Sequence, residues 1–206
     1  MSDDKKLWDD FRRGDDCALS AIYHQNVVLL YRYGQKFTTD NELIEDTIQE
    51  LFCDLITKKG SLGETDNIRY YLLASMRRRL NRNLKSAAGN KEKKEREQPN
   101  IEIVYSAEYE IINKEELSQR EQMVRDGLKK LSPKQREILY YKYTCEFSYE
   151  QICKIMNLKY DSARKQLYRA LDALKEVLSG HKEILILFRI LSKRFTNSMM
   201  RLKDLR

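Results

Sequence analysis

The chain has 206 residues, of which 41% are hydrophobic and 34% are charged, and its net charge is +7. This length suits one good core or two small ones, and the basic balance favours a polyanionic partner. No apolar run follows the N-terminus and no segment reaches the ~20 apolar residues of a membrane span, so we expect a cytoplasmic protein. Because Cys17, Cys53, Cys145 and Cys153 form no CxxC pair, a zinc site is not expected, and neither a metal nor a cofactor is predicted.

The charge is segregated along the chain. Residues 1–66 hold eight Lys or Arg against fourteen Asp or Glu, a net of −6, whereas residues 77–96 hold nine against two, a net of +7. Residues 159–206 hold twelve against five, again +7. An acidic head with two basic regions fits one protein partner and two contacts with nucleic acid.

The N-terminal half shows helical periodicity and no convincing strand alternation. A first apolar stripe begins at Leu7 and Phe11, and Asp15 or Asp16 offers a cap for the helix that follows. The cleanest stripe in this half consists of Ile44, Ile48, Leu51 and Leu55. The Gly, Ser and Asp content of residues 57–67 predicts a loop, and a helix is expected from about 68 to 85.

Residues 86–100 combine Gly89, Pro99 and a dense run of charges, which indicates a domain boundary. We therefore predict an all-α fold with two small helical domains, residues 1–86 and 115–180. A linker of residues 87–114 joins them, and residues 181–206 form a basic and apolar helical tail.

Two successive capping boxes begin the helices of the C-terminal domain, Ser132-Pro-Lys-Gln135 and Ser148-Tyr-Glu-Gln151. In each, the Ser hydroxyl accepts a hydrogen bond from an amide at the helix start and the Gln side chain reaches back to the cap. The basic stretch Asp161-Ser-Ala-Arg-Lys-Gln-Leu-Tyr-Arg169 follows. Three short helices ending in a cationic one are typical of a helix-turn-helix.

The last of these helices has one apolar and one polar face. Its apolar positions are Leu167, Leu171, Leu174 and Leu178. The residues that point the other way are Ser162, Arg164, Lys165, Tyr168, Arg169 and Asp172. Such a face can enter the major groove of DNA, where Arg and Lys donate to guanine. The alternative is an ordinary helical hairpin with a solvated basic face.

Three motifs together resemble the extracytoplasmic-function sigma factors, the small two-domain promoter-specificity subunits of bacterial RNA polymerase. Ile44-Glu-Asp-Thr-Ile-Gln-Glu-Leu-Phe52 is similar to the polymerase-binding motif of that family. The segments Leu131-Ser-Pro-Lys-Gln-Arg-Glu-Ile-Leu139 and Phe147-Ser-Tyr-Glu-Gln-Ile-Cys-Lys-Ile-Met156 resemble its C-terminal domain. The resemblance runs from Ala18 to Leu178 in the family's order. It implies a non-enzymatic factor that binds core RNA polymerase and recognises and helps to melt promoter DNA.

The resemblance also implies three groups of site residues. Those matching the contact with the polymerase clamp are Asp46, Gln49, Glu50 and Phe52, which lie off the apolar stripe and are expected to be exposed. Those matching capture of the unpaired minus-ten strand are the aromatic Tyr70 and Tyr71, and the basic Arg77, Arg78, Arg79, Arg82 and Lys85. Candidates for reading the minus-thirty-five element are Ser162, Arg164, Lys165, Tyr168 and Arg169. Either Tyr could instead belong to the core.

The chain departs from the family at several of these positions. Arg78 stands where Asn is common in the family, and Arg82 stands where Asn or Asp is common. Tyr71 replaces a frequent Trp. In the C-terminal domain Asn157 and Asp161 replace Gly. We expect strand opening to be retained, whereas base preference in the minus-ten element cannot be transferred. Asn tolerates the left-handed backbone conformation better than most residues, so the change at 157 is mild.

Two other classes remain as alternatives. A stand-alone helix-turn-helix regulator shares the C-terminal features but leaves the acidic N-terminal face without a role. A nuclease-like or RNA-binding enzyme shares the charge, but the sequence offers no Gly-rich phosphate loop and no compact acidic metal motif. For the tail, packing on the C-terminal domain is expected, and docking of an anti-sigma factor or a membrane surface is the alternative use.

Overall fold

The structure is a computed structural model that describes residues 3–89 and 127–177. All regular elements within these two ranges are helical. The described residues form two compact units, one made of residues 3–89 with 150–157 and the other of residues 127–149 with 158–177. Most of the predicted linker 87–114 and the predicted tail 181–206 lie outside the described residues.

Four helices make up the N-terminal part: α1 (Asp3–Arg12), α2 (Asp16–Gly34), α3 (Asn41–Lys58) and α4 (Ile68–Gly89). Local chemistry sets two of their starts. The Asp15 carboxylate accepts from the amides of Cys17 and Ala18 at 2.8 and 3.3 Å, as the sequence predicted. Asp40 likewise accepts from the amide of Leu43 at 3.0 Å. These side chains satisfy amides that have no partner within the helix.

The predicted apolar stripe of α3 is buried, with Ile44, Ile48, Leu51 and Leu55 all at most 6% exposed. α3 packs on α2 and α4, and α1 packs on α2. The end of α2 approaches α3 most closely at Gly34, where an added Cβ would lie 2.7 Å from Ile44 Cγ2. The predicted loop 57–67 is shorter than expected, because α3 continues to Lys58 and a single 3-10 turn spans Lys59–Ser61.

The range 127–177 begins with helical residues 127–129, which are followed by α5 (Pro133–Leu139), and α5 continues into a π-helical turn at Tyr140–Thr144. The predicted capping box at Ser132 is present: the Gln135 amide donates to Ser132 Oγ at 3.4 Å, and the Ser132 amide donates to Gln135 Oε1 at 2.8 Å. Within this unit, buried Tyr141 donates to Glu137 Oε1 at 3.0 Å.

α6 (Tyr149–Met156) and α7 (Tyr160–Val177) follow one another in the chain with a short turn between them. Asn157 occupies this turn with φ +54°, the left-handed conformation that Asn tolerates better than most residues. The helix, turn and helix needed for the predicted helix-turn-helix are therefore present. In α7 Leu167, Leu171 and Leu174 are buried as predicted, and Leu178 lies outside the described residues.

Candidate nucleic-acid and polymerase interfaces

The face of α3 opposite its buried stripe carries Asp46, Gln49 and Glu50, and all three side chains are exposed. Their spacing places them on adjacent turns of one helix. This face therefore presents two carboxylates and an amide to solvent, as the sequence predicted for the polymerase-binding motif.

Phe52 does not join that exposed face, and the prediction that it is exposed is wrong. Its side chain is 6% exposed, and its ring meets the edge of the Tyr23 ring with 4.9 Å between centroids. Phe52 lies four residues after Ile48, so helical geometry places both on one side and widens the buried stripe. Tyr23, which is 40% exposed, is the aromatic residue at this surface, and the sequence did not single it out.

Two ion pairs connect α3 to α4. Arg79 pairs with Asp54, and Arg79 Nη1 also donates to the Ser75 carbonyl at 3.4 Å. The Arg79 side chain is only 15% exposed. Arg79 is therefore not the freely available phosphate-binding cation that the sequence predicted, because its guanidinium joins two helices of the core.

The Asp54 carboxylate also pairs with Lys58 at 3.3 Å. Hydrogen bonds from Lys58 and then from Arg79 hold the pKa of Asp54 below its usual value of 3.8. A carboxyl whose folded-state pKa is lowered stabilises the fold above its unfolded pKa and loses that effect as the pH falls through the folded value.

We expect Asp54→Asn to flatten the acid limb of the stability profile. Below pH 3.8, the wild-type chain should lose stability more steeply than the variant, since only the wild type has this carboxylate to protonate. Urea midpoints measured across the acid range test this. Glu45→Gln, which changes an exposed carboxylate on the same helix, should follow the wild-type profile. Parallel profiles for Asp54→Asn and the wild type would contradict the expectation.

The second ion pair joins Arg82 of α4 to Glu50 of α3 at 2.9 Å. Asn83 Nδ2 strengthens the same junction by donating to Thr47 Oγ1 at 3.1 Å. One residue predicted to contact DNA and one predicted to contact polymerase therefore touch each other. Both side chains remain about half exposed or more, at 64% and 49%, so this pair is weaker than one in the interior.

The remaining candidates on α4 differ in accessibility. Tyr70 and Tyr71 are both half-buried, so neither is a pure core residue nor a fully open platform. Burial raises the pKa of the Tyr70 hydroxyl, and the nearby charge of Arg78 acts in the opposite direction. Arg78 and Lys85 are exposed and Arg77 is half-buried. The helix therefore offers a partly open aromatic pair beside several cations.

Helix α1 contacts the loop that precedes α4. The indole Nε1 of Trp8 donates to the Gly63 carbonyl at 2.9 Å, and the Trp8 ring packs against Tyr71 with 4.8 Å between centroids. Asp4 Oδ2 accepts from the Ile68 amide at 3.0 Å, at the first residue of α4. Sequence reasoning did not identify Trp8 or Asp4, because their partners lie 55 and 64 residues away.

The polar face of α7 is accessible as predicted. Ser162, Lys165, Tyr168 and Arg169 are exposed and Arg164 is half-buried. A surface cavity of about 420 Å³ is lined by Asp161, Arg164, Lys165, Tyr168 and Arg169. All of them except Asp161 were predicted from the sequence to contact nucleic acid. The structure places these four on one side of the helix.

An aromatic group lies beside this face. The Tyr149 and Tyr160 rings have centroids 5.4 Å apart, and Lys142 Nζ lies 5.1 Å from the Tyr149 ring centroid. Burial is the main cause that raises the pKa of the Tyr149 hydroxyl, and the neighbouring tyrosines add to it. The charge of Arg164 acts against that rise.

Comparison with known proteins bears on both parts of the chain. Residues 121–174 match the family described as Sigma-70, region 4. The structure is similar to that of CnrH in complex with the cytosolic domain of CnrY, with TM-score 0.54, 14% identity, and coverage of 86% of this chain and 98% of that one. It is also similar to the sigma factor RpoE of Bartonella quintana, crystallised with the anti-sigma factor NepR, with TM-score 0.51, 19% identity, and coverage of 76% and 96%. At these identities the likeness concerns the fold.

No curated protein is significantly similar in sequence. Among the described residues, no group of three or more His, Cys, Asp or Glu is placed to hold a metal ion. Within the same ranges, none of the helices is long and apolar enough to cross a membrane.

Proposed function

We propose that this chain, an extracytoplasmic-function sigma factor by its region 4 domain and its fold, directs initiation by placing α3 on core RNA polymerase and α4 and α7 on promoter DNA. The observation that carries the proposal is the region 4 match over residues 121–174 together with the exposed basic face of α7 within it. The chain supplies binding and positioning, and the polymerase supplies the chemistry. Its place of action is then the cytoplasm.

Reading of the minus-thirty-five element is assigned to Ser162, Arg164, Lys165, Tyr168 and Arg169. Arg and Lys can donate to guanine in the major groove, and Tyr and Ser can contact bases or phosphates. A single helix-turn-helix binds DNA weakly by itself. The polymerase connects this contact to the one at the minus-ten element, so a high effective concentration replaces a second half-site.

Capture of the melted minus-ten strand is assigned to α4 and the loop before it. Unstacked bases need an aromatic surface and their phosphates need cations. Tyr70 and Tyr71 would provide the surface, and Arg77, Arg78, Arg82 and Lys85 would provide the cations. Arg79 has a structural part in this scheme, since its pair with Asp54 holds α4 against α3.

We expect Asp46→Ala with Gln49→Ala to weaken binding to core polymerase about tenfold, a loss typical of two polar contacts at an interface. These two positions give a cleaner test than Glu50, because Glu50→Ala would also release Arg82. Binding is measured with labelled protein and purified core polymerase. Glu42→Ala, another exposed acid of α3, is the control. Equal losses in the double variant and the control would indicate a general charge effect.

In vitro transcription with bacterial core polymerase on a genomic DNA library tests the function as a whole. RNA starts that depend on the protein and share two spaced upstream elements are the expected result. The absence of such starts, with no complex between the protein and core, would support the second candidate, a stand-alone helix-turn-helix regulator. A regulator should also bind duplex promoter DNA alone, whereas a sigma factor should bind it poorly without core.

Regulation by an anti-sigma factor is part of the proposal. RpoE was crystallised with the anti-sigma factor NepR. By analogy we propose that a dedicated protein binds this chain and prevents its association with polymerase. To test this, the chain is purified from cells that do not transcribe its promoters. A protein that co-purifies with the chain and prevents its binding to core polymerase is the expected result.

A further inference from the structure

We propose that helix α1 is the positioning element of the minus-ten capture site and that Trp8 is its central positioning residue. The inference rests on the proposed function, because it specifies how that site is held in shape. In this scheme α1 contacts no DNA. It acts through the loop of residues 62–67 and through Tyr71.

Four contacts join α1 to this site. Trp8 donates to the Gly63 carbonyl at 2.9 Å, and its ring packs at a tilt against Tyr71 with 4.8 Å between centroids. Asp4 accepts from the Ile68 amide at 3.0 Å, and Lys5 pairs with Glu64 at 3.4 Å. The contacts therefore hold the loop at Gly63 and Glu64, and they hold α4 at its first residue and at an aromatic ring one turn further on.

Among the described residues, the other hydrogen bonds of the loop lie at its C-terminal end, where Asn67 Oδ1 accepts from the Tyr70 amide at 2.8 Å. The bonds within the loop are local ones, with Thr65 Oγ1 accepting from the Asn67 amide and donating to the Asn67 carbonyl, each at 3.2 Å. A Cβ added at Gly63 would meet nothing within 4 Å. Gly63 has the wide backbone freedom of glycine, so a hydrogen bond to its carbonyl removes more conformations than it would at another residue.

Trp8 is suited to positioning the loop because packing fixes its own side chain. Its side chain is fully buried, and its ring also packs on Phe11 with 5.4 Å between centroids. The Asp4 carboxylate adds a favourable charge at the N-terminus of α4, where the helix amides lack partners within the helix. A site that is ordered before the base arrives spends less binding free energy on ordering itself.

The test uses Trp8→Phe, which keeps an aromatic ring and removes the N–H donor together with the second ring of the indole. Polymerase holoenzyme is titrated with a fluorescent single strand carrying the non-template minus-ten element of a mapped promoter, and with versions in which each base in turn is abasic. The wild type should bind the strand that lacks the captured base about tenfold more weakly than the intact strand, as for loss of one base stack. Trp8→Phe should bind the intact strand about fivefold more weakly, as for loss of one hydrogen bond, and the strand without the captured base less than twofold more weakly.

Two further variants separate positioning from stability. Asp4→Ala, at a half-buried residue outside the core, should show the same pattern with a smaller loss. Lys6→Gln, exposed on α1, should bind as the wild type does. Binding of every variant to core polymerase should be unchanged.

The outcomes distinguish this inference from the function on which it rests. In one outcome, the wild type distinguishes the intact strand from the abasic one while Trp8→Phe weakens binding to both strands by the same factor. That outcome would overturn the positioning role and leave the sigma function standing. A Trp8→Phe variant that binds both strands as tightly as the wild type does would also overturn the positioning role. A wild-type holoenzyme that does not distinguish intact from abasic strands at any position would overturn minus-ten capture itself, and the inference with it.

Discussion

Replacing Arg164 and Lys165 together by alanine is expected to lower transcription from the cognate promoter on the order of 100-fold, as for loss of one base contact that contributes about 1–3 kcal/mol and of one phosphate contact. Binding to core polymerase should not change, because that contact is assigned to α3. The measurement is transcription in vitro at fixed holoenzyme concentration, on the wild-type promoter and on one with a scrambled minus-thirty-five element. The variant should transcribe both templates equally weakly.

The two single variants are expected to differ. Arg164 is half-buried, and its planar guanidinium with several fixed donors is suited to a directed contact with a base edge. Lys165 is exposed and more mobile, which favours a phosphate contact. Arg164→Ala should therefore relax sequence preference, whereas Lys165→Ala should weaken all templates alike and reduce the salt slope by about one.

The control for both is Lys175→Ala, which removes a cation from the last turn of the same helix. Lys175 lies six residues, more than one and a half turns, beyond Arg169, the last residue assigned to DNA, so this variant should transcribe as the wild type does. A loss with Lys175→Ala equal to that with Lys165→Ala would mean that α7 acts only through its net charge. Loss of core binding in the Arg164 and Lys165 variant would indicate misfolding.

The features that could be predicted from sequence are those set by neighbours along the chain. The cap at Asp15, the capping box at Ser132 and the left-handed Asn157 each depend on interactions within about four residues. Burial of the α3 stripe also followed from sequence, since helical periodicity alone brings those side chains to one face. The same argument could have predicted the burial of Phe52, because it follows Ile48 by four residues.

The features that could not be predicted depend on which helices pack together. Arg79 looks like a member of a basic run, and nothing near it in sequence indicates that Asp54, 25 residues earlier, neutralises it. Trp8 stands in an acidic N-terminal segment with no motif, and its role is evident only once the chain returns to place Gly63 and Tyr71 against it. Local periodicity predicts which face of a helix is buried and does not predict the partner of a charged group.

Gly34→Ala is expected to destabilise the N-terminal unit by about 1–3 kcal/mol, the usual cost of an extra methyl group in a packed core. The new Cβ would lie 2.7 Å from Ile44 Cγ2 and 3.1 Å from Cγ1, and Ile44 is fully buried. Alanine normally favours a helix over glycine by about 1 kcal/mol. Here that gain is offset, because α2 and α3 must move apart to admit the methyl group.

Urea unfolding followed by tryptophan fluorescence measures this effect in the full chain. Trp8 is the one tryptophan of the chain and lies in α1, so the signal reports the N-terminal unit. Gly60→Ala is the matched control, because a Cβ at that position meets nothing within 4 Å. Its free energy of unfolding should stay within about 0.5 kcal/mol of that of the wild type.

A second change at Ile44 tests whether the clash is the cause. Ile44→Ala alone should cost about 2–5 kcal/mol, because it leaves a cavity in the core. It also removes both Cγ atoms that the Gly34→Ala methyl group would meet. The double variant should therefore be more stable than the sum of the single losses predicts, by more than the ~0.5 kcal/mol expected of independent sites. Additive losses would place the cost of Gly34→Ala in the backbone of α2, and the close approach of α2 to α3 would then not be what requires glycine at this position.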